Sequence, residues 1–349
     1  MKKTLIYLFF FICICFIIPA LLTKRETKTS SSSTINEIKI EENANNITNT
    51  TENNQDTNDN NRNEEDNLKI KLLHKKTGEV EEIDIEKYIC NVVSAEMPAD
   101  YEIEALKAQA VIARTYTIYK MKNKKHDNAD ICDDSTCCQA WISKEDRLSR
   151  WEEDKKESNW KKIEQCVNET EGKIVTYQGA PINAFFHSNS GGTTEIPVNV
   201  WGGTDYPYLQ VVETAGEEGY EQYNSEVILS NEDLINKLKT KYSDIQIDFQ
   251  NQDEIKILEY TESKRVKTVK FGNHNLSGVE TRTLLGLKST NFEITKEDNN
   301  IKFTVKGYGH GVGMSQTGAN TMAKEGKNYE EIIKHFYIGI EVEPYLDIS

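Results

Sequence analysis

The sequence predicts an α+β protein, and three observations predict it. Residues 67–85 alternate apolar and polar side chains on both sides of a Lys-Thr-Gly turn, the period-two pattern of paired strands. Residues 84–125 then carry apolar positions at helical spacing in two successive stretches. Beyond Glu217 a helical segment, "NEDLINKLKTKY", stands among alternating segments such as "KTVKFGN" and "NNIKFTVKG", without a regular strand-helix-strand alternation and without an internal repeat. That mixture argues against a doubly wound sheet.

Two segments of different character precede these elements. After two lysines, Thr4 to Leu22 form a charge-free run of 19 residues. At about 1.5 Å per residue this nearly matches a hydrocarbon core of roughly 30 Å, so residues 1–22 are assigned to a transmembrane anchor. A cleavable signal peptide is the alternative, disfavoured by the lack of a small-x-small site before Lys24 and Arg25. Export of the large C-terminal part is the usual outcome for such a segment. Residues 23–66 are rich in Asn, Thr, Ser and Glu and hold no aromatic residue, the composition of a flexible stalk. Random-coil scaling gives that stalk an average span of roughly 35–40 Å. Residues 67–349 remain for the ectodomain, as one domain or two closely joined lobes with the second at about 217–306.

Of the formal charge of −15, residues 1–22 carry +2 and residues 23–66 carry −5, which leaves −12 on the ectodomain. An acidic ectodomain argues against nucleic acid as a partner. Of seven cysteines, two lie in the apolar run and Cys90 and Cys166 stand alone, so no even disulfide framework is present.

Within the ectodomain, the hairpin leads into a helix capped by Asp84, with Ile85, Ile89, Val92 and Val93 on its apolar stripe. Glu96 lies on that same stripe, and Pro98 ends the helix at about Glu96. Apolar surroundings and the negative helix end both disfavour ionisation, the condition of a general acid near neutral pH. An ordinary Glu paired with a Lys or Arg at a fraying helix end is the alternative. The next helix, "DYEIEALKAQAVIARTYTIYKMKNKK", places Ile103, Leu106, Ala110 and Ala113 on one side, and Lys107 and Arg114 two turns apart on one face. Those two cations are candidates for binding a substrate's carboxylate or carbonyl oxygens, or are simply solvated. Further on, "NWKKIEQCVNETEG" is helical, "KIVTYQGAPINAFF" is a hairpin around Gln178 and Gly179, and "NYEEIIKHFYIG" is the last helix.

Three constellations carry candidate chemistry. In "HDNADICDDSTCC", His126, Cys132 and Cys138 have the donor types of a tetrahedral zinc site, with water, an anion or Cys137 as a fourth ligand. A disulfide from Cys132 to Cys137 or Cys138 competes with that reading outside the membrane. In "FFHSNSGGTTE", His187, Ser188, Asn189 and Ser190 lack the elbow of a serine hydrolase and suit hydrogen bonding to a polar ligand such as a sugar. In "GYGHGVGMSQTGA", five glycines permit close backbone approach, Ser315 suits a helix cap, and His310 is either a packing residue or a ligand contact. No phosphate-binding spacing is present.

Taken in order behind one N-terminal anchor, "VVSAEMPA", "KAQAVIARTY", "AFFHSNSGG" and "GYGHGVGMSQTGA" resemble the stage II sporulation protein D family, from about Leu68 to the C-terminus. The resemblance implies a lytic transglycosylase of the mother-cell membrane, its ectodomain facing the space around the forespore. It would cut peptidoglycan glycan strands during engulfment after a partner amidase has stripped the stem peptides, within a complex that includes membrane partners. It implies Glu96 as the acid, Lys107 and Arg114 as the matching helix residues, and His126, Cys132 and Cys138 as a zinc site found in some members. Related sequences include amidase enhancers, so a non-catalytic recruiter of a cell-wall amidase is the second reading. A hydrolase using the His126 metal site is the third.

Overall fold

In the computed structural model the described residues are 68–345. The anchor assigned to residues 1–22 and the stalk of residues 23–66 lie outside them. Among the described residues no helix is long and apolar enough to cross a membrane.

The expected hairpin is β1 (Lys69–Leu73) paired antiparallel with β2 (Val80–Asp84), Lys69 opposite Asp84. Asp84 then caps α1 (Ile85–Glu96), its carboxylate accepting from the Lys87 N–H at 3.0 Å. The cap satisfies a backbone donor that the first helical turn leaves unpaired. Ile85, Ile89, Val92 and Val93 are all buried. Met97, the residue before Pro98, is extended at φ −125° and ψ 144°, and the helix stops there.

The second helix, α2 (Ile103–Lys122), departs from the expected amphipathic pattern. Leu106, Ala110 and Ala113 are buried, but Ile103 is exposed, and thirteen residues of α2 are buried, Gln109, Arg114 and Thr117 among them. A helix covered on every side is a core element. β3 (Ile131–Cys132) then joins β1 in parallel, Leu72 opposite Ile131 and Leu73 opposite Cys132. After α3 (Lys144–Arg150) and α4 (Lys156–Asn168), β4 (Lys173–Tyr177) and β5 (Ala180–Pro181) form the expected hairpin through Gln178 and Gly179, both at positive φ. β6 (Phe186–His187) and α5 (Pro197–Trp201) complete this stretch.

A second apolar core follows, from β7 (Asn224–Ser230), α6 (Asn231–Lys239), β8 (Ile255–Tyr260), β9 (Val266–Phe271), β10 (His274–Ser277), α7 (Gly278–Leu285), β11 (Asn291–Glu297) and β12 (Asn300–Lys306). Its antiparallel sheets run β11-β12-β7 and β10-β9-β8, with Leu234, Phe271 and Phe303 fully buried. The chain then returns to the first core as β13 (Met314–Ser315), α8 (Gln316–Lys324), α9 (Tyr329–Phe336) and β14 (Glu341–Pro344). β13 pairs in parallel with β6, β14 pairs antiparallel with β4, and α1, α4, β4, α8 and α9 pack around α2. This mixture of helices and sheets is the α+β class that the sequence predicts.

Candidate active site

Glu96 is the last residue of α1, and its half-buried carboxyl is held from two distant segments. Its Oε1 accepts from the backbone N–H of Ala140 at 2.6 Å, and its Oε2 accepts from the Gln316 amide at 3.5 Å. Gln316 also donates to Gln109 of α2 at 3.3 Å. Burial pushes the Glu96 carboxyl up from 4.5 to about 7, against the Ala140 and Gln316 donors, which favour its ionised form. The expected raised pKa is therefore present, and its cause is desolvation.

Two clefts meet at this side chain. One, of about 530 Å³, is lined by Glu96, His187, Tyr308, His310 and Arg282, with Cys138 on its wall. The other, of about 420 Å³, is lined by Glu96, Tyr101, Arg147, Trp151 and Gln222. Ser188 and Gln316 line both, so Glu96, Ser188 and Gln316 stand on the divide. Among the described residues, Glu96 is the one carboxylate lining either cleft.

The polar loop after β6 divides by burial. Ser188 faces both clefts, while Asn189 and Ser190 are buried and bonded inside the protein. Ser190 Oγ donates to Glu217 at 2.5 Å, Thr214 and Thr317 donate to the same carboxylate at 2.9 Å each, and Ser315 donates to it as well. Asn189 donates to Thr317 Oγ1 at 2.9 Å. This fully satisfied network ties the loop to the N-terminus of α8, so the expectation that Asn189 and Ser190 contact a ligand is corrected: their polar atoms are already paired. His187 lines the first cleft but is buried, with Nδ1 on the Val312 carbonyl at 3.1 Å. Burial, with the Arg265 charge nearby, lowers it to about 3, so it is neutral at physiological pH. His310 accepts the Val312 N–H at 3.0 Å on Nδ1, and its ring lies 5.0 Å from Trp201 and 6.2 Å from Phe185. Burial foremost, with the Arg282 and Arg265 charges nearby, keeps it neutral too. Gly313 makes the approach possible: at φ 72° a Cβ there would lie 1.9 Å from the Phe185 carbonyl oxygen.

Lys107 and Arg114 share a face of α2, as their spacing predicts, but neither lines the Glu96 clefts. Lys107 pairs with Glu104 at 2.8 Å and Glu169 at 2.6 Å. Arg114 is 1% exposed and grips Glu86 with two bonds, at 2.8 and 2.5 Å, while a third reaches the Lys173 carbonyl at 3.0 Å. The assignment of both to substrate binding is corrected, because Glu86 of α1, Glu104 of α2 itself, Glu169 just past α4 and the Lys173 carbonyl of β4 supply the partners that the sequence left open. Arg114→Gln is expected to destabilise the fold by about 3 kcal/mol, the lower end for breaking a buried ion pair. Thermal melting and kinetics together check it: the melt falls while activity per folded molecule holds, and a raised KM with an unchanged melt would restore the substrate role.

The cysteine-rich loop gathers four donors. The ligand atoms of His126, Cys132, Cys137 and Cys138 all lie within 4.8 Å of one another, with His126 Nε2 at 3.7 and 3.5 Å from the sulfurs of Cys137 and Cys138. All three thiols are free. A tetrahedral zinc with bonds of about 2.3 Å to sulfur and 2.0–2.1 Å to nitrogen needs ligand atoms roughly 3.5–3.8 Å apart, so this donor set fits the ion. β3 positions Cys132, and the loop runs on to Ala140, whose N–H bonds Glu96.

Sequence reading missed Ala140, Gln316, Trp201, Tyr308 and Arg282. The "MSQTGA" string held a signal for Gln316, since a capping Ser315 fixes its place at the helix start; the others acquire their roles from tertiary contacts alone.

Comparison with known proteins agrees with the motif order. A family model described as Stage II sporulation protein matches residues 73–177, which include Glu96 and the four metal-site donors. Stage II sporulation protein D of Bacillus amyloliquefaciens is 34% identical over 282 residues, covering 80% of this chain and 79% of that protein. The protein of the same name from Bacillus subtilis (strain 168) is 36% identical over 266 residues, 75% of each chain. The amidase enhancer of Bacillus subtilis (strain 168) is 30% identical over 305 residues, covering 73% of this chain and 40% of that protein. With a third or more of its residues shared across three quarters of its length, this chain belongs to the stage II sporulation protein D family.

Proposed function

We propose that this chain is a membrane-anchored lytic transglycosylase that cuts peptide-stripped peptidoglycan strands between N-acetylmuramic acid and N-acetylglucosamine during engulfment. One observation carries the reading: among the described residues Glu96 is the single carboxylate at the meeting of two clefts, and burial raises it to about 7, so that a large fraction stays protonated near neutral pH. Most glycosidases that use water work with a pair of carboxyl groups, and among the described residues neither cleft offers a second. A lone acid suffices when the substrate supplies its own nucleophile. Glu96 protonates the glycosidic oxygen, which leaves as the C4 hydroxyl of N-acetylglucosamine. The resulting carboxylate, already facing the Ala140 N–H, takes the proton of the muramic C6 hydroxyl as that oxygen closes onto C1. A 1,6-anhydro ring forms, Glu96 is reprotonated, and no water is consumed.

His126, Cys132, Cys137 and Cys138 would hold zinc, and when bound it supplies a structural cross-link, since four protein ligands leave no open position for substrate. On this reading residues 1–22 anchor the chain, and membership of the family supports an ectodomain at the mother-cell membrane that faces the space around the forespore and works with a peptide-stripping amidase and membrane partners.

The test is mass spectrometry of peptide-free glycan strands incubated with the full-length, metal-loaded chain. Products ending in 1,6-anhydro-muramic acid are expected; reducing ends would indicate hydrolysis and sink the reading. The similarity to an amidase enhancer favours one alternative, a domain that recruits and stimulates an amidase. That reading predicts no cleavage by the chain alone and stimulation of the amidase that survives loss of Glu96.

A further inference from the structure

The second core contributes to the main cleft a cation without a counter-ion. Arg282, on α7, is half-buried and lines the cleft that Glu96 lines. Among the described residues no carboxylate pairs with its guanidinium. Among the described residues the only carboxyl lining the cleft is Glu96, which burial shifts toward its neutral form and which bonds Ala140 and Gln316 rather than Arg282. Lys288, its Nζ 4.3 Å from the Tyr308 ring centroid, adds a second positive charge beside the same tyrosine. A partly desolvated guanidinium without a partner is costly, and a carboxylate is the anion that its planar fork fits.

We infer that Arg282 binds the free lactyl carboxylate of N-acetylmuramic acid and so selects peptide-free strands. The inference rests on the transglycosylase reading for its substrate. In a peptide-bearing strand the same carboxyl is an amide, which is neutral and continues into a peptide, so Arg282 would be left desolvated and unpaired. The carboxylate-binding role that helix spacing offered to Lys107 and Arg114 thus falls to a residue 168 positions beyond Arg114, on the other core.

The test compares two substrates: peptide-free strands, and the same strands with their lactyl carboxyls converted to methylamides. Affinity and kcat/KM are measured for the full-length wild type, R282Q and R282K. A charge-assisted contact predicts a wild-type preference for the carboxylate strands of about 10- to 100-fold. In R282Q the preference falls to about one, by loss on the carboxylate strands only; in R282K it shrinks but persists, since an ammonium lacks the two-point fork. A wild type without preference overturns the inference, as does an R282Q that keeps it or loses both substrates equally. If R282Q fails to fold, R282K decides, and an undiminished preference in it is fatal. Should the wild type cleave neither strand, the transglycosylase reading fails, and the ratio of the two affinities still decides the role of Arg282.

Discussion

Glu96→Gln is expected to lower cleavage of peptide-free glycan by about 10³-fold or more, at the upper end for loss of a general acid, with glycan affinity nearly unchanged. The amide keeps the size of the side chain but cannot give up or take back the proton. The pH dependence tests the same assignment from another side. The wild type should be most active below about pH 7 and lose activity as pH rises through that value, because the protonated form does the work. Stability moves in the same direction: the folded pKa, raised from 4.5 to about 7, lies above the unfolded one, so the folded state binds more protons between them. The wild type therefore loses stability as pH rises from about 4.5 through 7. Gln carries no charge, so the variant should lack that slope and be the more stable protein at pH 8, by at most about 3 kcal/mol. Calorimetry at pH 5 and pH 8 beside activity assays decides it; a variant that cleaves, or that melts below the wild type at pH 8, rules out Glu96 as the buried acid.

Cys132→Ser is expected to have the second-largest effect. Cys132 is fully buried, and its sulfur belongs to the four-donor cluster. Loss of one thiolate that weakens zinc about a thousandfold removes about 4 kcal/mol under saturating metal, or roughly 10 °C of melting temperature. Activity should fall with it, because the same loop carries Ala140, the donor that holds Glu96. Metal analysis of the wild type should find one zinc per chain, and Cys137→Ser should behave like Cys132→Ser. A Cys132→Ser protein with the wild-type melt and metal content would end the zinc assignment.

What was legible in the sequence was local. The Asp84 cap, the buried stripe, the stop at Pro98 and hence the setting of Glu96 are fixed within fifteen residues, as is the gathering of His126 with three cysteines on one loop. Lys107 and Arg114 could be assigned a shared face but not its neighbours, since Glu169 and the Lys173 carbonyl arrive from segments 59 or more residues away. The same holds for Ser190, whose acceptor Glu217 lies in an irregular loop with no sequence pattern of its own. Arg282 left no trace because being unpaired is a property of the assembled cleft rather than of any window of sequence.

The all-round burial of α2 also bears on how this chain acquires its structure. Synthesis delivers the helix early, yet the elements that cover it include α8 and α9, which end at Phe336. Until those residues emerge and dock, a helix that later elements must enclose stands partly uncovered, and the whole second core must form or wait between them. The first core is thus closed by its last-made part, so the long-range contacts that finish the protein are the same ones that bring Gln316 to Glu96. Completion of folding and completion of the acid's setting are one event.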